Sequence, residues 1–201
     1  MRQAKGMSAA GSALALAALA LLPGCVSFGP KPPPSLIRFA PAAMAPADAG
    51  APLTPARAVT VMVPTTPNEL AAPRVPVRSG AADLAYLKDA QYADSPARLF
   101  RDLLMETIRA RTGRPALEGR DYHLAGGSVL NSRIDTLSVD AGQRRVDLVV
   151  DAVLKTPNQD AMTRRFEAHV PVTAVTAPAV TPALSQAAND VAVQIADWVG
   201  R

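Results

Sequence analysis

His123 and His169 are the only imidazoles in the chain, so general acid–base chemistry near neutral pH would have to run through them. A hydrolase would place one of them between a carboxylate and a hydroxyl, and Ser128 or Ser132 could supply the hydroxyl. No nucleophile-elbow spacing surrounds either serine. Both histidines read as members of a polar face, and no enzymatic activity is expected. Asp147 and Asp151 share one strand face, with Asp135 and Asp140 nearby. The Asp-x-Asp-x-Asp spacing of a calcium loop is absent, so a solvated sheet face explains these carboxylates without a metal. No Gly-x-x-x-x-Gly-Lys loop occurs either, which assigns any nucleotide hydrolysis to another protein; no cofactor is implied. Arg144-Arg145 and Arg164-Arg165 flank what reads as one turn region, placed to meet lipid phosphate or an acidic partner. Tyr86, Lys88 and Tyr92 complete a candidate partner surface, whereas Trp198 lies on an apolar stripe and is expected in the core.

The remaining reactive side chain is Cys25, the sole cysteine among 201 residues. It follows Arg2 and Lys5, an Ala/Leu stretch from Met7 to Leu22, and then Pro23-Gly24. That stretch is short for a membrane span and has the three-part layout of a secretory leader. Leu22-Pro23-Gly24-Cys25 resembles a lipobox: a branched apolar residue three places before cysteine, and a small residue directly before it. The thiol would accept diacylglycerol, and cleavage between Gly24 and Cys25 would free an amino group for a further acyl chain. At about 0.8 kcal/mol per buried methylene, several chains make such an anchor effectively permanent. Val26 follows the cysteine, where an aspartate would favour inner-membrane retention. The outer membrane, facing the periplasm, is the expected location.

Removing residues 1–24 leaves 177, enough for one domain and a linker. The leader holds two of the 21 basic residues and none of the 17 acidic ones, so the remainder carries 19 against 17, a formal +2. With charge so balanced and few aromatics to stack on bases, nucleic-acid binding is not expected. Residues 25–57 read as the lipidated cysteine and a Pro/Ala-rich tether. Pro30, Pro32, Pro33 and Pro34 favour extended polyproline geometry, and 36–39 is a candidate short strand. Residues 58–201 read as the folded domain.

Val59, Val61 and Val63 alternate as a strand stopped by Pro64. Arg74–Arg78 and Leu84–Lys88 form a hairpin about Ser79-Gly80, with Pro76 marking the first as an edge or bulged strand. Ser95, Pro96 and Gly113 bound a helix whose Leu99, Phe100, Leu103, Leu104 and Ile108 make one apolar stripe. Three strands follow, from Val129 to about Val139, from Val146 to Leu154 and from Phe166 to Val172. They alternate apolar with polar residues, as a meander covered on one side requires. A last helix is expected to be capped by Thr181, opened by Pro182 and closed by Gly200. The expected fold is α+β, a two-layer sandwich of a largely antiparallel sheet with two amphipathic helices on one face.

Several segments carry a family likeness. They are Tyr86-Leu87-Lys88-Asp89, Tyr92-Ala93-Asp94-Ser95-Pro96 leading into the Leu99–Ile108 helix, Arg164-Arg165-Phe166-Glu167-Ala168, and the closing Ile195-Ala196-Asp197-Trp198-Val199. With the lipobox, this pattern resembles the ABC-type transport auxiliary lipoproteins, the PqiC-like group. The chain departs from it in the proline-rich 40–56 stretch and at Pro76. The resemblance implies a periplasmic accessory of a lipid-transport system, with an Mce-domain protein and an ABC permease and ATPase as partners and a homo-oligomer as one arrangement. The alternative is a regulatory lipoprotein of another envelope machine, in cell-wall synthesis or secretion.

Overall fold

The computed structural model describes residues 35–47, 50, 52–80 and 82–201. The leader, Cys25 and the polyproline stretch lie outside the described residues. Eight strands and two long helices follow in order: β1 (Ser35–Ile37), β2 (Val59–Val61), β3 (Arg74–Arg78), β4 (Leu84–Tyr92), α1 (Pro96–Thr112), β5 (Ala116–Glu118), β6 (Ser128–Asp140), β7 (Arg145–Lys155), β8 (Met162–Pro171) and α2 (Ala177–Val199).

The expected meander is present. β6 pairs antiparallel with β7, and β7 with β8. Val146, Leu148, Val150, Ala152 and Leu154 of β7 are buried, as are Phe166, Ala168 and Val170 of β8, and α2 packs over both strands. The rest of the sheet is not antiparallel. The free edge of β6 is divided: Ser128–Leu130 pairs in parallel with β2, and Val139-Asp140 pairs in parallel with β3. β2 continues in parallel to β5, while β3 continues antiparallel to β4, which takes β1 in parallel. The sheet is therefore mixed. Alternation along a strand reports which face is buried and carries no record of the direction of its neighbour. Pro76 proves to lie in an interior strand, tolerated because the β3–β4 register shifts between Arg74 and Pro76.

β6 contains a second irregularity. Its register against β7 steps from Ile134↔Val150 to Thr136↔Val149, leaving Asp135 as the extra residue. Leu130 and Ile134 point inward before the bulge, and Leu137 and Val139 after it. The apolar positions thus switch from even to odd, a phase change already written in the sequence.

α1 runs as expected, and Gly113 ends it at a left-handed φ of 62°. Ser95 stands at the N-cap without a side-chain cap bond. Asp94 takes over, accepting the Ser95 N–H at 2.6 Å and pairing with the Arg98 guanidinium. The start of α2 differs from expectation. Thr176 is its N-cap, Pro178 lies in the first turn and Pro182 sits inside the helix. Proline at 182 removes only the N–H that would have bonded to the Pro178 carbonyl, and Pro178 is exposed, so water can serve that oxygen. Burying Val180, Ala183 and Leu184 on the sheet side favours the longer helix. None of the described helices is long and apolar enough to cross a membrane.

Candidate functional site

The two arginine pairs are separated by β7. Arg145 opposes Pro171 at the start of β7, while Arg164 and Arg165 oppose Ala152 and Asp151 near its end. At about 3.4 Å per residue the two pairs stand roughly 20 Å apart. The expected single basic turn region does not form, because an eleven-residue strand lies between them.

Each end is also internally compensated. The Asp135 bulge lets that carboxylate reach Arg165 at 2.9 Å, while Asp151 bonds the same guanidinium at 2.7 Å. Arg133 bonds Asp135 from its own strand at 2.5 Å. The Arg165 guanidinium holds the Asp151 carboxyl down at about 2, and Asp151 in turn raises Arg165. Arg145 pairs with Asp147 at 2.7 Å. Arg144 is exposed at a φ of 48°, and the exposed Arg164 lies over the Phe166 ring at 5.2 Å. Asp135, Asp147 and Asp151 thus face arginines, Asp140 accepts the Gln143 N–H at 2.8 Å, and no group of three metal-ligating side chains occurs among the described residues.

Ser138, Asp147 and His169 occupy consecutive positions across β6, β7 and β8. Nδ1 of His169 lies 2.7 Å from Oδ1 of Asp147. The carboxylate stands between the hydroxyl and the imidazole, so His169 is not placed to take a proton from Ser138. Ser132 opposes Ala152, six strand positions from Ser138, and Ser128 bonds Arg114, so neither meets His169. His123 is in the short 3-10 segment Gly119–Leu124, with Nδ1 at 3.0 Å from the Arg120 carbonyl.

Tyr86 and Lys88 do share a surface. They line an open groove of about 950 Å³ with Val77, Leu87, Val175 and Pro178, where β4 passes the first turn of α2. Arg74 stacks on the Tyr86 ring at 4.1 Å. Asp89, at a φ of 62°, lies in the irregular part of β4 that carries Leu87 and Lys88 away from β3. Tyr92 does not belong to this surface. It is 1 % exposed, edge-on to Phe39 at 5.9 Å, because the irregularity between Tyr86 and Tyr92 turns it into the core. Its hydroxyl has no hydrogen-bond partner, and burial pushes the phenol up. Trp198 is half-buried, 5.5 Å from Phe166, so the core expectation holds only in part.

Two consequences are measurable. Tyr92→Phe is expected to stabilise the protein by about 1 kcal/mol in urea titrations, since the lost hydroxyl was buried without a partner. A surface role for the hydroxyl would leave stability unchanged. Acid should weaken the fold through Asp94 and Asp151. Each carboxyl is held at about 2, Asp94 chiefly by Arg98 and Asp151 chiefly by Arg165, against an ordinary 3.8. The unfolded chain therefore binds protons first as pH falls, so the contribution is complete above about 4 and lost toward 2. The thermal midpoint should drop over that window, and drop less in an Asp94→Asn/Asp151→Asn variant.

The same architecture recurs in known structures. Protein XCC0632 from Xanthomonas campestris, of family DUF330, superposes with a TM-score of 0.68 at 17% identity, over 82% of this chain and 93% of that one. A crystal structure of an uncharacterized protein gives 0.65 at 14%, over 82% and 97%. No curated protein sequence matches significantly. Fold and surface together define a single α+β domain with a mixed sheet backed by two helices and a groove beside β4. The chain belongs to the family of ABC-type transport auxiliary lipoprotein components, whose model matches residues 40–196.

Proposed function

We propose that this protein is a non-enzymatic auxiliary component of an Mce-type lipid-transport system. Lipid on Cys25 holds it to the outer membrane, and the folded domain binds partner proteins in the periplasm. The observation that carries this reading is the family match across residues 40–196. The Leu22–Cys25 lipobox and the absence of aspartate at position 26 support the anchor and its membrane. The ion-paired outer sheet face leaves the groove bearing Tyr86 and Lys88 as the partner surface.

Crosslinking in the native membrane, purification and mass spectrometry test the reading. An Mce-domain protein should be recovered, and its yield should fall severalfold with Lys88→Glu, an exposed position whose charge reversal leaves the core intact. Recovery of a cell-wall synthase or secretion component without an Mce protein would replace the assignment with the regulatory one. Mass spectrometry of the purified protein should find Cys25 as the first residue with diacylglycerol on its sulfur, and a free thiol at that position would refute the lipid anchor.

A further inference from the structure

A second cavity, of about 740 Å³, opens at the opposite end of α2, where the C-termini of both helices converge. Arg57, Arg114 and Arg201 line it, together with Leu154, Met162 and Trp198. Many arginines elsewhere on the domain meet carboxylates, among them Arg98, Arg101, Arg109, Arg111, Arg133 and Arg165, while Arg74 and Arg164 lie over aromatic rings and Arg144 is a lone exposed turn residue. The three around this cavity have no carboxylate of the described residues within ion-pair distance. Arg57 donates to the Gly113 carbonyl at 3.0 Å. Arg114 donates to the Arg57 carbonyl at 3.0 Å, the Val199 carbonyl at 2.7 Å and the Ser128 hydroxyl at 3.3 Å.

Part of this charge has a structural explanation. Each helix C-terminus is worth roughly half a negative charge, and Arg57 and Arg114 bond to carbonyls at those ends. Two such ends offset about one of the three positive charges and the α-carboxylate on Arg201 about another, leaving a surplus of about one. Burial, and after it the nearby Arg57, lowers the affinity of Arg114 for its proton. The planar guanidinium fork donates paired N–H bonds to two oxygens of a phosphate or carboxylate, and three of the five Arg114 N–H groups are used within the protein, leaving two. The adjoining Leu154, Met162 and Trp198 offer an apolar wall to whatever the phosphate is attached to.

We infer that this arginine-lined cavity is a binding site for a phosphate group, in a lipid headgroup or in free phosphate. The inference stands independently of the transport reading, because it depends on direct ligand binding and not on any partner. Trp198 is the only tryptophan in the chain and lines the cavity, so its fluorescence reports occupancy without a label.

The test is a fluorescence titration of the full chain in a neutral sugar-headgroup detergent. Three probes are compared: inorganic phosphate, dihexanoyl phosphatidic acid and dihexanoylglycerol. Saturable change with phosphatidic acid, at least tenfold weaker with inorganic phosphate and absent with dihexanoylglycerol, supports a phospholipid headgroup. Equal affinity for inorganic phosphate supports the site and assigns it to free phosphate. An Arg57→Gln/Arg201→Gln variant, shown by circular dichroism to be folded, should bind at least tenfold more weakly. Unchanged affinity in that variant, an equal response to dihexanoylglycerol, or no response to either phosphate probe overturns the inference. None of these results bears on recovery of an Mce-domain partner, so the two readings fail separately.

Discussion

Gly127→Ala is expected to destabilise the domain by about 3 kcal/mol or more, measured by chemical denaturation. Gly127 precedes β6 at a φ of 94°, and a Cβ there would stand 2.7 Å from two backbone carbonyl oxygens, those of Pro55 and Ala58. Neither oxygen is the far end of a flexible side chain. Ala58 also accepts the Ser128 N–H at 3.1 Å, which starts the parallel pairing of β2 with β6. Relief of the clash would therefore pull apart the junction that seats β2. Gly126 is the control. It too has a positive φ, of 64°, but nothing lies within 4 Å of an added Cβ. Gly126→Ala should cost only the left-handed penalty of about 1 kcal/mol. Equal effects at the two positions would show that backbone conformation alone, and not the close approach, makes Gly127 necessary.

Phe166→Ala should cost about 3–5 kcal/mol, a fall in thermal midpoint on the order of 10 °C. Phe166 is 1 % exposed and fully embedded between β7 and α2, with Trp198 against its ring. Truncation removes an aromatic side chain from a close-packed layer held by the pairing of β8 with β7 on one edge and by α2 packed over it, so the cavity cannot collapse fully. The same substitution should shift Trp198 emission to longer wavelength as water gains access to the indole. Val153→Ala on the other face of β7, 37 % exposed, should cost under about 1 kcal/mol. A small loss at Phe166 would mean that α2 is not docked on β8 as described.

These two residues were unequally visible in the sequence. Phe166 opens an alternating run that ends at Val172, and the period of two alone gives its inward face. Gly126-Gly127 signals a turn or bulge before β6, but its contact with Pro55 and Ala58 spans about seventy residues and has no local mark. The Asp135 bulge is intermediate. The switch from Leu130 and Ile134 to Leu137 and Val139 could have been read from spacing, whereas the meeting of Asp135 with Arg165 could not. Tyr92 misled for a related reason. Within Tyr86–Tyr92 the side-chain alternation is broken by the irregular β4 segment, so its face could not be inferred from that of Tyr86.

The sequence by itself determined the α1 boundaries at Pro96 and Gly113, the amphipathic faces of both helices and the β6–β8 meander. All of these rest on local physics: proline and glycine dihedral preferences, helical and strand periodicity, and short antiparallel connections. Tertiary structure alone decided the parallel seating of β1, β2, β3 and β5, the early start of α2 at Ala177, the separation of the two arginine pairs and the gathering of Arg57, Arg114 and Arg201 around one cavity. Parallel partners are joined only through long connections, and packing against the sheet can override a proline near a helix start. Charges distant in sequence acquire neighbours only when the chain has closed around them.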